Sequence, residues 1–198
     1  MERGLTLRDV LIAIPLIALL GIVGTAIFNR NVRYPSCELR AMAACKTYAE
    51  AQEIYLRTDH NGDGIKEYAQ FIAGGDGKYG LWTDGSPGAT QGDLSLVDAA
   101  FANAEGDPGI ARPRDGYVFR VLTSQGASAR GGKKSYLFDG RLVNGYGLSA
   151  VPNKYDRTGR ITYCINNTGQ IFGKDRGLEG SVYHLENYNP DDTWAVEE

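Results

Sequence analysis

From Val10 to Phe28 the chain runs almost without a polar side chain, with Pro15, Gly21 and Gly24 as the only helix-weakening residues in the run. At roughly 1.5 Å per helical residue such a stretch is about 28 Å long, close to the roughly 30 Å hydrocarbon core of a bilayer. The pattern predicts a transmembrane helix over 10–28. Tyr34-Pro35-Ser36 then predicts a bend, because proline lacks a donor and disfavours helical geometry in the residue before it. From Ser36, as N-cap, apolar residues at Leu39, Met42, Cys45, Ala49 and Tyr55/Leu56 fall on one helical face. This predicts an amphipathic helix reaching Arg57.

Beyond residue 58 the helical period disappears among glycines, aspartates, asparagines and tyrosines. Short apolar runs bounded by turn residues remain at 116–122, 134–138, 147–151, 160–165 and 170–172, and they predict strands. Asn166-Asn-Thr-Gly169 between the last two predicts a hairpin. Ser95 to Asn103, capped by Ser95, predicts one further short helix. The expected class is therefore α+β: a long N-terminal helix, transmembrane and then amphipathic, followed by a Gly-rich and mainly antiparallel head over 58–198.

The residues ahead of the apolar run add a processing signal. A secretory leader places its small-residue cleavage site after the apolar stretch. Here Gly4-Leu5 precedes it, in Gly4-Leu5-Thr6-Leu7-Arg8-Asp9, and Asn29-Arg30-Asn31 behind it has no small-x-small pattern. Asp9 lies one helical turn from Leu5, on the same face. A carboxylate at the edge of an apolar span is costly unless paired, so Asp9 calls for a cation. This segment resembles the prepilin-type cleavage and methylation signal of type IV pilins and pseudopilins. Leu5 stands where that family usually carries Phe or Met, and Asp9 where it usually carries Glu.

The resemblance implies a leader of residues 1–4, cleavage after Gly4 by prepilin peptidase, methylation of the new Leu5 terminus, and an N-terminal helix over 5–57. It implies a pilin-like fold and a helical homopolymer in which the Leu5 ammonium and Asp9 pair between subunits. The chain would wait in the inner membrane, meet a pilus or secretion assembly machinery, and end in a filament at the cell surface. The expected role is structural and not enzymatic. A pseudopilin of a type II-like secretion system, confined to the periplasm, and a membrane-anchored periplasmic binding or enzymatic domain that never polymerises are the alternatives. Exposed loops at 74–89 and 103–114 would set partner choice.

Charge and composition narrow the partners. A net charge of −3 offers no basic field for nucleic acid. The 12 tyrosines suit a small core and subunit contacts, because the ring buries area while the hydroxyl stays polar. Cys37 and Cys45 are too far apart along a helix to bridge, which leaves Cys164 as a partner for one of them or three thiols acting as small hydrophobes.

One segment carries candidate metal chemistry. Asp59, Asn61, Asp63, Ile65 and Glu67 place oxygens at alternating positions, with Gly64 at the sharp turn of an EF-type loop. The expected ligand is Ca2+, with the Ile65 carbonyl at the seventh position. The twelfth position is Gln70, so Glu67 at the ninth would supply the carboxylate; an Asx-type turn is the alternative. His60 is expected to be exposed and His184 to pack in or beside a strand. Gly74-Gly-Asp-Gly-Lys-Tyr79 fails the phosphate-loop pattern, Asn166-Asn-Thr168 matches a glycosylation sequon, and Lys133-Lys134 reads as a solvated turn. Across roughly 59–194 the head is also similar to a bacterial envelope family of unknown function, which implies a fold and no reaction.

Overall fold

The computed structural model describes residues 35–75, 79–85 and 94–198. The expected span 10–28, the processing residues Gly4 and Leu5, the assembly residue Asp9 and part of the 74–89 loop lie outside the described residues. The first described element, α1, is helical over 35–55. Pro35 and Ser36 are already helical, so Ser36 is not the cap that its side chain suggested. Gln52, Ile54 and Tyr55 accept the closing bonds from Leu56, Arg57 and Thr58 at 3.0, 3.1 and 3.2 Å, which end the helix just short of the expected Arg57.

Strands dominate the chain beyond α1. Phe71–Ala73 (β1) and Gly80–Trp82 (β2) pair in parallel. Ala99–Ala102 (α2) precedes Tyr117–Leu122 (β3), and two small pairs join Ser124–Gln125 (β4) to Lys134–Ser135 (β5) and Leu137–Phe138 (β6) to Arg141–Leu142 (β7). Gly147–Pro152 (β8), Ile161–Asn166 (β9), Ile171–Asp175 (β10) and Ala195–Glu197 (β11) complete a five-stranded sheet of order β11-β10-β9-β8-β3, antiparallel throughout. Gly177–Ser181 forms the short α3. The β9–β10 hairpin turns at Asn166 to Gly169, where Gly169 N–H donates to Asn166 O at 2.9 Å.

The alternation of the strands explains how two cores share one sheet. Tyr117 and Phe119 of β3, Leu148 and Ala150 of β8, and Tyr163 and Ile165 of β9 point to the α1 side, where they meet Ala41, Ala44, Cys45, Tyr48, Ala51 and Tyr55. Leu122 and Cys164 point the other way, onto Tyr188, Leu185 and Trp194 from the segment after α3. Every residue of β8 is buried because both faces are covered. Edge-to-face tyrosine contacts fasten α1: Tyr146 lies 5.6 Å from Tyr48 and 4.9 Å from Tyr68, and its hydroxyl donates to Ala49 O at 3.3 Å.

These observations correct the expected fold class. Among the described residues no helix is long and apolar enough to cross a membrane. α1 belongs to the head: a full stripe of its side chains is core, and of its large apolar residues only Leu39 and Ile54 are exposed. The expected pilin-like class, one long helix from membrane into an antiparallel head, gives way to a strand-rich head with mostly short helices, a covered five-stranded sheet and one parallel pair. The short helix also moves. Asp98 caps α2 by accepting from Phe101 N at 2.8 Å, whereas Ser95 bridges to Trp82. The three cysteines are free thiols, with Cys45 and Cys164 buried. Burial pushes the Cys45 thiol up to about 12, which keeps it protonated and unreactive.

A polar side chain ties the helix to the sheet side of the chain. Gln52 is fully buried, its Nε2 donates to Ala69 O at 2.8 Å and to Tyr48 Oη at 2.8 Å, and its Oε1 accepts from Ala69 N at 2.8 Å. It thus treats Ala69 as a neighbouring strand would. Gln52→Ala strands both buried backbone groups of Ala69, so unfolding in urea should show a loss of about 2–5 kcal/mol, with Gln52→Glu no better. A loss below about 0.5 kcal/mol in that titration would mean that water replaces the amide at no cost.

Candidate functional site

The end of α1 leads into a cluster of polar side chains that fold back on their own backbone. His60 folds back under the helix terminus, stacks on Tyr55 with ring centroids 3.9 Å apart, and its Nε2 donates to Tyr55 O at 3.1 Å. His60 is therefore half-buried and not exposed as expected; partial desolvation holds its pKa below the ordinary imidazole value, with the Tyr55 carbonyl opposing. The chain then wraps around Asp59. Asp59 Oδ1 accepts from Gly62 N at 2.8 Å and Oδ2 from Gly64 N at 2.7 Å. Gly62 and Gly64 have φ of 73° and 84°, a conformation that costs a side chain of L configuration about 1–2 kcal/mol.

The next two ligand candidates repeat the same motif. Asn61 Oδ1 accepts from Asp63 N at 3.1 Å, and Asp63 Oδ1 accepts from Ile65 N at 2.9 Å. Each short polar side chain thereby fixes the backbone two residues ahead, which draws the side chains toward the inside of the turn. Asp59, Asn61, Asp63 and Ile65 share this one wrapped loop. Glu67 joins it through Asn61, whose Nδ2 donates to Asp63 Oδ2 at 3.0 Å and to Glu67 Oε1 at 3.0 Å. Gln70, at the twelfth position, faces elsewhere and donates from Nε2 to Gly140 O at 2.8 Å.

The electrostatics are unbalanced. Arg141 on β7 reaches across to Asp63 Oδ2 at 2.7 Å and lies 3.9 Å from Asp139, so one guanidinium faces several carboxylates. Glu67 is only 9% exposed, and its Oε2 is buried with no hydrogen-bond partner. Burial first, and then the negative Asp63 and Asp59, raise the Glu67 pKa, against the lowering pull of Arg141. Asp59 goes the other way, because backbone N–H donors, Gly64 foremost, stabilise its ionised form. As the loop stands, no three His, Cys, Asp or Glu groups among the described residues converge closely enough to hold a metal ion. The Asn61 amide occupies the space between Asp63 and Glu67.

The remaining candidates resolve into structural roles. His184 is buried on the second face of the sheet, its Nε2 bonded to Gly106 O at 2.9 Å and its Nδ1 to Ser149 Oγ at 3.2 Å. Ser149 Oγ also accepts from Leu185 N at 3.2 Å, so serine and imidazole hold a loop onto β8. Asn166 of the sequon is buried, its Nδ2 donates to Tyr136 Oη at 3.4 Å and its Oδ1 accepts from Thr168 N at 3.1 Å and Thr168 Oγ1 at 2.6 Å, so in the folded head the amide nitrogen is covered. Lys133 and Lys134 are exposed, with Lys134 Nζ donating to Asn144 O at 3.3 Å.

Sequence reasoning missed Arg141 and the Tyr55–His60 stack. Arg141 stands in a two-residue strand far along the chain, and nothing local marks it. The comparison with known proteins adds a family: the one described as "Protein of unknown function (DUF2950)" matches residues 25–196. No curated protein and no solved structure matches the chain.

Gly64→Ala meets no atom within 4 Å, so its cost is backbone strain alone, about 1–2 kcal/mol by urea unfolding, and Gly64→Asn should recover part of it. His184 should dominate acid sensitivity. Burial first, then Arg120 and Arg176, push its pKa down to about 4, with Gly106 O and Asp107 opposing. Its folded value lies below the unfolded one near 6.5, so stability is complete above about pH 6.5 and falls by about 3 kcal/mol as pH drops to about 4. In urea midpoints measured across that window, His184→Gln should flatten the slope. An unchanged slope would place the acid sensitivity elsewhere.

Proposed function

Because the chain belongs to the DUF2950 family, whose description assigns no reaction, its role must be read from its own residues, and we propose that it is a structural subunit of a type IV pilus-like extracellular filament. The carrying observation is the order Gly4-Leu5, Asp9, then the apolar run 10–28. Cleavage after Gly4 retains that run and frees the Leu5 amine. In the membrane the run is solvated by lipid; in a filament it packs against its copies in an equally water-free core. Leu5 ammonium and Asp9 carboxylate then pair between subunits, since neither charge is tolerable alone in that medium.

The head supports this reading through the way α1 is seated. The apolar run ends shortly before α1, and α1 is fixed to the sheet by its buried stripe and by Glu38, whose Oε1 accepts from Arg160 N at 2.9 Å, and to the backbone of Ala69 by Gln52. Force applied along the N-terminal segment therefore reaches the head through α1. Prepilin peptidase, the inner membrane and a pilus or secretion machinery are the partners this role requires. A short periplasmic pseudopilus of a secretion system would use the same parts.

N-terminal peptide mass spectrometry on material sheared from cells tests the proposal against the membrane fraction. Sheared protein that begins at N-methylated Leu5 is the expected result, and Gly4→Leu should abolish both the processing and the sheared pool. If Met1 persists and all protein stays in membranes, the chain is a tethered envelope domain.

A further inference from the structure

The wrapped loop at the end of α1 has features that the filament role does not use. Asp59, Asp63 and Glu67 gather three carboxylates in one turn, of which Asp63 pairs with the guanidinium of Arg141, and the exposed Asp139 beside Arg141 adds a fourth. Beyond the cluster itself, Glu67 is nine-tenths buried and turned toward the loop, as its Oε1 contact to Asn61 shows, while its second oxygen has no partner at all. A buried carboxylate oxygen without a donor costs free energy that a folded protein ordinarily recovers through a bond or an ion.

We propose that residues 59–67 form a binding site for a divalent cation of calcium's size and hardness, held by the carboxylates of Asp59, Asp63 and Glu67, the amide oxygen of Asn61 and the carbonyl of Ile65. All of these donors are hard oxygens, the set that calcium prefers. Asn61 Oδ1 spends one lone pair on Asp63 N–H and keeps another. On binding, the cation takes the place of the Asn61 Nδ2–H group between Asp63 and Glu67 and draws the two carboxylates together. Arg141 stays on the outer oxygen of Asp63, which orients that carboxylate and ties the filled loop to β7. Magnesium fits less well, because it demands near-octahedral geometry at short distances and sheds water reluctantly, whereas three carboxylates, an amide oxygen and a carbonyl spread over one flexible turn suit the longer and more irregular contacts of calcium.

The site lies at the end of α1 and depends only on the head, so its test is separable from filament assembly. Full-length protein in detergent micelles, stripped with chelator, is titrated with calcium, with magnesium and with terbium, whose luminescence Tyr55 and Tyr68 can sensitise. The expected result is a calcium-dependent rise in the thermal midpoint with an apparent Kd of about 0.1–1 mM, the range of extracellular sites with few charged ligands, and displacement of terbium by calcium. Magnesium should be at least tenfold weaker. Glu67→Gln should weaken calcium at least tenfold yet unfold no earlier than wild type in chelator, because it removes the unpartnered charge. The proposal is overturned if about 10 mM calcium moves neither the wild-type midpoint nor the terbium signal, or if Glu67→Gln responds to calcium as wild type does. Should Glu67→Gln not fold, the wild-type comparison of calcium with magnesium and chelator decides.

Discussion

The pairing of the Gln52 side chain with the backbone of Ala69 is the constraint on which the rest of the head depends. A helix has no free backbone donors on its sides, so α1 cannot join the hydrogen-bonded part of the fold except through a side chain. Gln52 supplies a donor and an acceptor with the spacing of a peptide unit, in a fully buried site, where both Ala69 groups would otherwise be stranded. This bond fixes the distance between the helix and residue 69. The intervening chain must close a loop of set span, and Asp59, with two backbone donors on its carboxylate, is what closes it.

From that closure the remaining architecture is built in order. Tyr68, held next to Ala69, donates from its backbone to Leu142 O at 2.8 Å and brings β7, and with it Arg141, alongside the acidic loop. Tyr146 then stands between Tyr48 and Tyr68 and leads directly into β8, the fully buried strand. The aromatic rings supply area, while their hydroxyls answer polar groups that a purely aliphatic core would leave unpaired: Tyr48 and Tyr146 toward backbone carbonyls, Tyr136 toward Gln125 and Asn166. The polar network and the apolar core are therefore one object, and the acidic 59–67 loop sits at its edge.

Much of the sheet was legible in the sequence, because strands such as 117–122 and 161–166 are apolar runs bounded by turn residues, and Asn166 to Gly169 closes 161–166 onto 171–175 as a hairpin. The local hydrogen-bond logic of Asp59, Asn61 and Asp63 was legible too, since it depends on side chains two to five residues from their donors. What escaped has no local signal. β1 and β2 are three residues each and parallel. The cover of the second face comes from Leu185, Tyr188 and Trp194, whose spacing matches neither a helix nor a strand. Gln52 reads as a surface residue until Ala69 is placed beside it, and Arg141 reads as a turn residue until Asp63 is. The class error had the same origin: the apolar face of α1 fits a helix continuing from a membrane span equally well as a helix sunk in its own head, and only the contacts distinguish the two.

Amide hydrogen exchange on the full-length protein, read by mass spectrometry in wild type and Gln52→Ala, tests the dependence most directly. Ala69 and the 59–68 loop should exchange nearly as slowly as α1 in wild type, and the variant should lose protection from 59 to 73 while β8 and β9 keep theirs. Equal protection of 59–73 in the two proteins would contradict it, and would mean that the packing of α1 against the sheet holds the loop without the amide.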